Sequence, residues 1–270
     1  MNQSIFWDNN EYKIHYQFTG KKDGLITLLI HGLGCDLNYW QPLLQDPKLT
    51  SQLGLIAVDL LGYGYSSKPS IKQFDYSMQS QANALALFLR ELKVSPDVII
   101  GFSMGGPIAI YLTKMLSSQH LVLVEPTLVE NDLSFSKTLA KTPTIMLSLL
   151  KIMTYIAPWQ FAKSVLHNKD KKAIKIIVNA LQQTPATVMK QSSKQLVASA
   201  TDPETYLSLK KLSSKKTLII GEFLEKSSSY HPPEDLFEIA KKEVIPNAKH
   251  AVMLDNPVAF NEVLLKIINN

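Results

Sequence analysis

The 270 residues are 46% hydrophobic and 19% charged, the balance of an ordinary globular chain, which excludes a disordered or collagen-like one. Single cores stop growing at roughly 250–300 residues, so one large α/β domain, alone or carrying an inserted subdomain, is expected. The lone Cys35 excludes an internal disulfide and any multi-cysteine metal site, and the net charge of +5 rests on 27 Lys and a single Arg, Arg90.

That charge is uneven. Residues 127–216 hold 14 Lys against five acids (Glu130, Asp132, Asp170, Asp202 and Glu204), a net of +9, which leaves −4 for the rest. Bidentate recognition of bases and phosphates favours Arg, and no aromatic residues interleave with the lysines. A solvated helical face is therefore expected, with no nucleic-acid partner. The opening MNQSIFWDNNEYK has no basic stretch leading into an apolar one, so a cytoplasmic location is expected.

In chain order, Tyr12–Thr19 reads as an early strand, and Leu25–Ile30 as a continuous apolar strand that ends in HGLG (31–34). Gly54–Leu60 is another strand, followed by the Gly-rich turn LGYGYSSKP. Buried parallel strands have this uninterrupted texture. Tyr76–Leu92 places Ala82, Leu85, Leu89 and Leu92 on one helical stripe. DVIIGFSMGGPIAIYLTKML then runs from a strand through a tight turn into a helix, and Leu121–Pro126 closes this half with a further strand. The alternation is that of βαβ units on a largely parallel sheet.

From residue 127 to 214 the pattern is helical without strand-like runs, which reads as a helical insertion. Thr144–Trp159 is its most apolar window, but Ser148, Lys151, Thr154 and Pro158 interrupt it. It falls short of the roughly 18 apolar residues a membrane span needs, so no stable insertion is expected. A strand returns at Lys215–Glu222. PPEDLFEIAKK reads as a helix, KEVIPNAKH as a short strand and turn, and NPVAFNEVLLKIINN as a final amphipathic helix.

Gly101-Phe102-Ser103-Met104-Gly105 is a G-x-S-x-G sequence with the strand before it and the helix after it that the chemistry requires. A serine on such a turn projects above the sheet, and glycines flank it because side chains would clash. The Met104 N–H then stands at a helix N-terminus, where an oxyanion is stabilised. A serine hydroxyl is a weak nucleophile and needs a histidine base oriented by an acid. Of six histidines, His250 follows the last expected strand and precedes the final helix, where a base can reach over the strand ends. His31 reads as a backbone-ordering residue. His15, His120, His167 and His231 read as surface or packing residues. Asp59 is expected to order its loop, and Cys35 to be a small buried thiol.

Five features in order carry a resemblance: HGLG at 31–34, DLLGYGYSSKP at 59–69, GFSMGG at 101–106, LVLVEP at 121–126 and KHAVMLDNPVAF at 249–260. Together they resemble α/β-hydrolase fold proteins of the esterase, haloperoxidase-like and dehalogenase-like group. The resemblance implies a mostly parallel eight-stranded sheet flanked by helices. Its core is formed by residues 1–126 and 215–270, and residues 127–214 form an inserted helical cap. It implies Ser103 as nucleophile, His250 as base, and the N–H groups of Leu33 and Met104 as oxyanion hole. A nucleophile-position Asp would have implied a dehalogenase or epoxide hydrolase, and Ser103 argues against both.

The acid departs from the common pattern, because Leu224 stands where such proteins usually carry Asp. Glu125, at the end of the strand after the nucleophile helix, is the first candidate. A carboxylate there is expensive to bury unless paired, and a histidine supplies the partner. Glu225 is the alternative, and Glu222 lies nearby. The apolar cap residues, Trp159, Met153 and Tyr155 among them, either line an acyl site or seal the cap onto the core. The expected function is a serine hydrolase for a small-molecule ester or related acyl substrate, with no cofactor and no metal. The alternatives are a thioesterase, acyltransferase, or C–C or amide hydrolase on the same triad, or a non-catalytic ligand-binding protein. The oligomeric state stays open.

Overall fold

The computed structural model describes residues 5–128, 133–227, 233 and 235–269. Eight strands form one sheet: β1 (Ile5–Asp8), β2 (Lys13–Gly20), β3 (Leu25–Ile30), β4 (Leu53–Val58), β5 (Val98–Phe102), β6 (His120–Val124), β7 (Lys215–Gly221) and β8 (Lys241–Ile245). Their spatial order is β1-β2-β4-β3-β5-β6-β7-β8. β2 runs antiparallel to both of its neighbours, and every other pairing is parallel. This is the expected α/β architecture.

The continuous apolar runs arise because both faces of the central strands are buried. Leu28, Ile30, Ile99, Leu121, Leu123, Leu218 and Ile220 face one core with the helices Met78–Glu91 and Gly105–Leu116. Leu29, Val98, Ile100, Val122, Val124 and Ile219 face the other, with the helix Pro257–Ile268. Strand-to-helix approach is tightest beside the serine turn. A Cβ on Gly105 would stand 2.6 Å from the Ile30 carbonyl oxygen, and one on Gly101 would stand 2.3 Å from that of Gly105.

The structure departs from the sequence reading at β1 and in the PPEDLFEIAKK segment. β1 escapes the sequence reading because four residues are too short for a periodic signal, although the turn after it holds Asn10 in the left-handed region (φ 69°). The helix expected from PPEDLFEIAKK shrinks, among the described residues, to the single turn Leu236–Ile239, since Lys241 already pairs with Thr217 in β8.

Between β6 and β7 the described chain is helical: Ser134–Lys141, Thr144–Ile156, Pro158–Ala162, Lys171–Gln183, Ala186–Thr201 and Pro203–Lys211. These helices reach the ends of the sheet. A Cβ on Gly34 would touch Met189 at 2.9 Å and Leu181 at 3.0 Å, and one on Gly62 would touch Val188 at 2.6 Å.

Candidate active site

Ser103 follows β5 directly and holds φ at 52°, a region that non-glycine residues seldom occupy. The backbone keeps it there with three hydrogen bonds. The Ser103 N–H donates to the Val124 carbonyl (2.9 Å), and the Ser103 carbonyl accepts from Gly106 (2.9 Å) and Thr127 (3.3 Å). Strain that persists under such restraint marks a position where the side chain's direction matters.

Glu125 follows β6 in the same way, with φ at 46° and its N–H donating to the Ile219 carbonyl at 2.9 Å. Its side chain is fully buried. One carboxylate oxygen, Oε1, accepts from the Gly221 N–H (2.5 Å), and Oε2 faces His250 Nδ1 at 3.3 Å. Burial pushes this carboxyl above its ordinary range, and the hydrogen bond and charge of His250 and the Gly221 N–H pull against that shift.

His250 joins the two. Its Nε2 stands 3.1 Å from Ser103 Oγ, and its ring lies 4.9 Å from that of Phe102, centroid to centroid. An ionised Glu125 only accepts, so it selects the tautomer with the proton on Nδ1 and leaves Nε2 to accept from the serine hydroxyl. Residues 103, 125 and 250, separated by up to 147 positions, thus form one hydrogen-bonded chain.

The other acid candidates lie elsewhere. Glu225 pairs with Lys242 at 2.8 Å, and Glu222 accepts from the Asn247 N–H at 2.8 Å and also pairs with Lys226. Residues 222–225 form a helical turn, so Glu225 is carried toward β8.

The HGLG turn rests on Ser103. A Cβ on Gly32 would stand 3.0 Å from Ser103 Cβ, which brings the turn that carries Leu33 against the serine turn. His31 orders this turn from within: it is fully buried, donates from Nδ1 to the Gly32 carbonyl (2.8 Å), and accepts at Nε2 from the Leu60 N–H (3.1 Å). Burial holds its pKa below the ordinary value, which suits a neutral ring that donates from one nitrogen and accepts at the other. Met104 precedes the Gly105–Leu116 helix, where the first N–H groups of a helix find no carbonyl of their own. Cys35 is buried and its thiol is pushed up to about 12, so it carries no thiolate at neutral pH.

Asp59 orders its loop. It accepts from the N–H groups of Leu37 and Tyr65 (both 2.8 Å) and meets His15 Nδ1 at 2.6 Å. His15 is therefore more than a packing residue, since it is buried with a carboxylate. His120 does pack, bonded to Thr217 Oγ1 (2.9 Å), and His167 stacks on Phe223 (4.3 Å). His231 lies outside the described residues.

Asp255 is the residue that sequence reasoning missed. It is 8% exposed and accepts from the N–H groups of Lys249 (2.9 Å), His167 (2.6 Å) and Asn168 (3.0 Å). It ties the loop carrying His250 to the segment between the helices Pro158–Ala162 and Lys171–Gln183. The Asn-Pro helix start just after it, read only as a helix signal, was the available pointer.

Of Trp159, Met153 and Tyr155, singled out from the sequence, Trp159 packs partly buried against the second core. Met153 and Tyr155 are 46% and 67% exposed, so they neither line an enclosed pocket nor seal their helix onto the core. The helix Thr144–Ile156 instead turns Leu147, Lys151 and Thr154 inward, where Lys151 Nζ donates to the Thr184 carbonyl at 2.6 Å.

A family model described as the alpha/beta hydrolase fold matches residues 28–257. The chain belongs to the alpha/beta hydrolase fold family. The chain is 30% identical over 159 residues to an uncharacterised protein of Mycobacterium tuberculosis, a match covering 57% of this chain and 45% of that one. It thus spans less than half the length of that curated relative. It is 25% identical to epoxide hydrolase 3 of Xenopus tropicalis, over 93% of this chain and 73% of that one. The solved structure of the N-acyl homoserine lactonase AidH superimposes with a TM-score of 0.78 at 16% identity, over 100% of this chain and 97% of that one, a likeness of fold. Among the described residues, no three His, Cys, Asp or Glu side chains cluster closely enough to hold a metal ion. No described helix is long and apolar enough to cross a membrane.

Proposed function

We propose that the chain is a serine hydrolase that cleaves carboxylic esters through an acyl-enzyme on a Ser103-His250-Glu125 triad. The observation that carries this reading is the hydrogen-bonded path from Ser103 Oγ through His250 to the buried Glu125. Ser103 Oγ attacks the carbonyl carbon while His250 Nε2 takes its proton, and Glu125 stabilises the resulting imidazolium. The N–H groups of Leu33 and Met104 receive the oxyanion, a contribution of roughly 3–4 kcal/mol where one such donor has been removed from other enzymes. The C–O bond then breaks, and His250 returns the proton to the departing alcohol. Water, deprotonated by the same ring, releases the acid and frees Ser103.

Serine at the nucleophile position also separates this reading from epoxide opening, the activity named for the Xenopus relative. Attack by Ser103 on an epoxide carbon would leave an ether, which water cannot cleave by carbonyl addition, and the enzyme would stall after one event. An acyl-serine is itself an ester and turns over. Lactones, cyclic esters of the kind named for the structural neighbour, belong in the same substrate panel.

The test is intact-mass analysis after exposure to a fluorophosphonate, with turnover of p-nitrophenyl esters of increasing chain length. One covalent adduct and ester turnover are expected, both lost in Ser103→Ala. A folded wild-type protein that takes no label would overturn the hydrolase reading in favour of ligand binding without catalysis.

A further inference from the structure

The helix Thr144–Ile156 is amphipathic in the inverted sense. Its inward face is Leu147, Lys151 and Thr154, tied down by Lys151 to Thr184 and by Gln182 to the Lys151 carbonyl and Thr154. Outward stand Ile145, Met146, Leu149, Leu150, Ile152 and Ile156, between 43% and 74% exposed, together with Met153 and Tyr155. Exposed apolar side chains elsewhere in the described chain are dispersed, whereas these share 13 consecutive residues. A contiguous patch of this kind is uncommon on a soluble monomer and marks a surface that meets an apolar partner.

Charge identifies the partner. Residues 133–201 contain ten Lys and one acid, Asp170, and that acid is occupied in capping the Lys171–Gln183 helix through the Ala173 N–H (2.7 Å). Lys141, Lys163, Lys169, Lys171, Lys172 and Lys175 flank the apolar helix in sequence and are exposed. A second copy seated on the same patch would bring two such cationic segments together. Apolar side chains among lysines, on a helix too short to span a bilayer, match the interface of an anionic membrane instead. We propose that the Thr144–Ile156 helix docks this protein peripherally on anionic lipid bilayers, its apolar face in the acyl boundary and the exposed lysines that flank it in sequence on the headgroups. This docking does not depend on the hydrolase reading, because it involves none of the triad residues.

The experiment is flotation of the full chain with vesicles of phosphatidylcholine alone and of phosphatidylcholine with about one third phosphatidylglycerol. Partitioning onto the anionic vesicles is expected to be at least roughly tenfold stronger and to fall as salt is raised. The exposed double substitution Leu149→Glu with Ile156→Glu should cut it by roughly tenfold or more with circular dichroism unchanged. Lys171→Gln with Lys172→Gln and Lys175→Gln should weaken it chiefly at low salt. Absence of vesicle binding, or equal binding by the Glu variant, overturns the proposal. So does a wild-type dimer that the Glu variant converts to monomer without any vesicle binding, since the patch would then be an interface between copies.

Discussion

At the residue scale, Glu125 is distinguished from a strand-end carboxylate of no consequence by the division of labour between its two oxygens. Oε1 is held by the Gly221 N–H, so only Oε2 is left for His250. In Glu125→Gln the amide oxygen would stay on Gly221, because an N–H cannot pair with an N–H. The amide nitrogen would then face His250 Nδ1 and donate to it, forcing the proton onto Nε2, the wrong tautomer for accepting from Ser103. Acyl-enzyme formation is expected to fall on the order of 10⁴-fold, as tautomer reversal does in other triads. Glu225→Gln, which only loosens a pair with Lys242, should leave that rate unchanged. Stopped-flow release of p-nitrophenol from both variants checks the ranking. The opposite order of rates would move the acid to Glu225.

At the element scale, the site depends on loops that leave the sheet between rigid strands. Ser103 and His250, which stand within hydrogen-bond reach of each other, each lie beside a local sequence signal, a G-x-S-x-G turn in one case and the end of the last strand in the other. The acid was ambiguous because Glu125, Glu222 and Glu225 all sit at strand ends, and only the left-handed turn at Glu125 aims one of them inward. Asp255 had only an indirect signal in the sequence, the Asn-Pro helix start that follows it. Its importance lies in gathering three N–H groups from two segments more than 80 positions apart. Asp255→Ala strands those donors near a fold junction, and a loss of about 3 kcal/mol or more in stability is expected. Below its melting temperature the variant should also lose kcat while KM changes little, because the His250 loop loses the anchor at Lys249. Asp255→Asn, which keeps one acceptor, should recover part of both. A variant that loses stability alone would reduce Asp255 to a purely structural tie.

At the scale of the whole molecule, stability should depend on pH through histidines that burial holds neutral. His120, between β6 and β7, has its pKa lowered to about 4, first by burial and then by Lys215. Between about pH 6.5 and 4 the unfolded chain binds a proton there that the folded chain refuses, so stability from this group is complete above 6.5 and is lost as the pH falls toward 4. His120→Asn, which keeps a donor for Thr217, should flatten this acid limb of the stability curve while leaving its neutral region nearly unchanged. Urea unfolding at pH 7.0 and 5.0 gives the comparison, and an unchanged pH dependence would assign the acid limb to other groups such as His31.

What the sequence determined by itself was whatever depends on near neighbours. Apolar runs buried on both faces became parallel strands, glycines sit where the serine turn admits no Cβ, and the strand-turn-helix context placed Ser103. Only the tertiary structure decided which acid reaches His250, that Asp255 anchors its loop, and that the most apolar helix faces outward. Those outcomes depend on which side of each element is covered and on which chain segments meet. The 3.6-residue periodicity of Thr144–Ile156 is compatible with either face inward, and the choice came from Lys151 and Thr154 finding partners in the adjoining helix and its end.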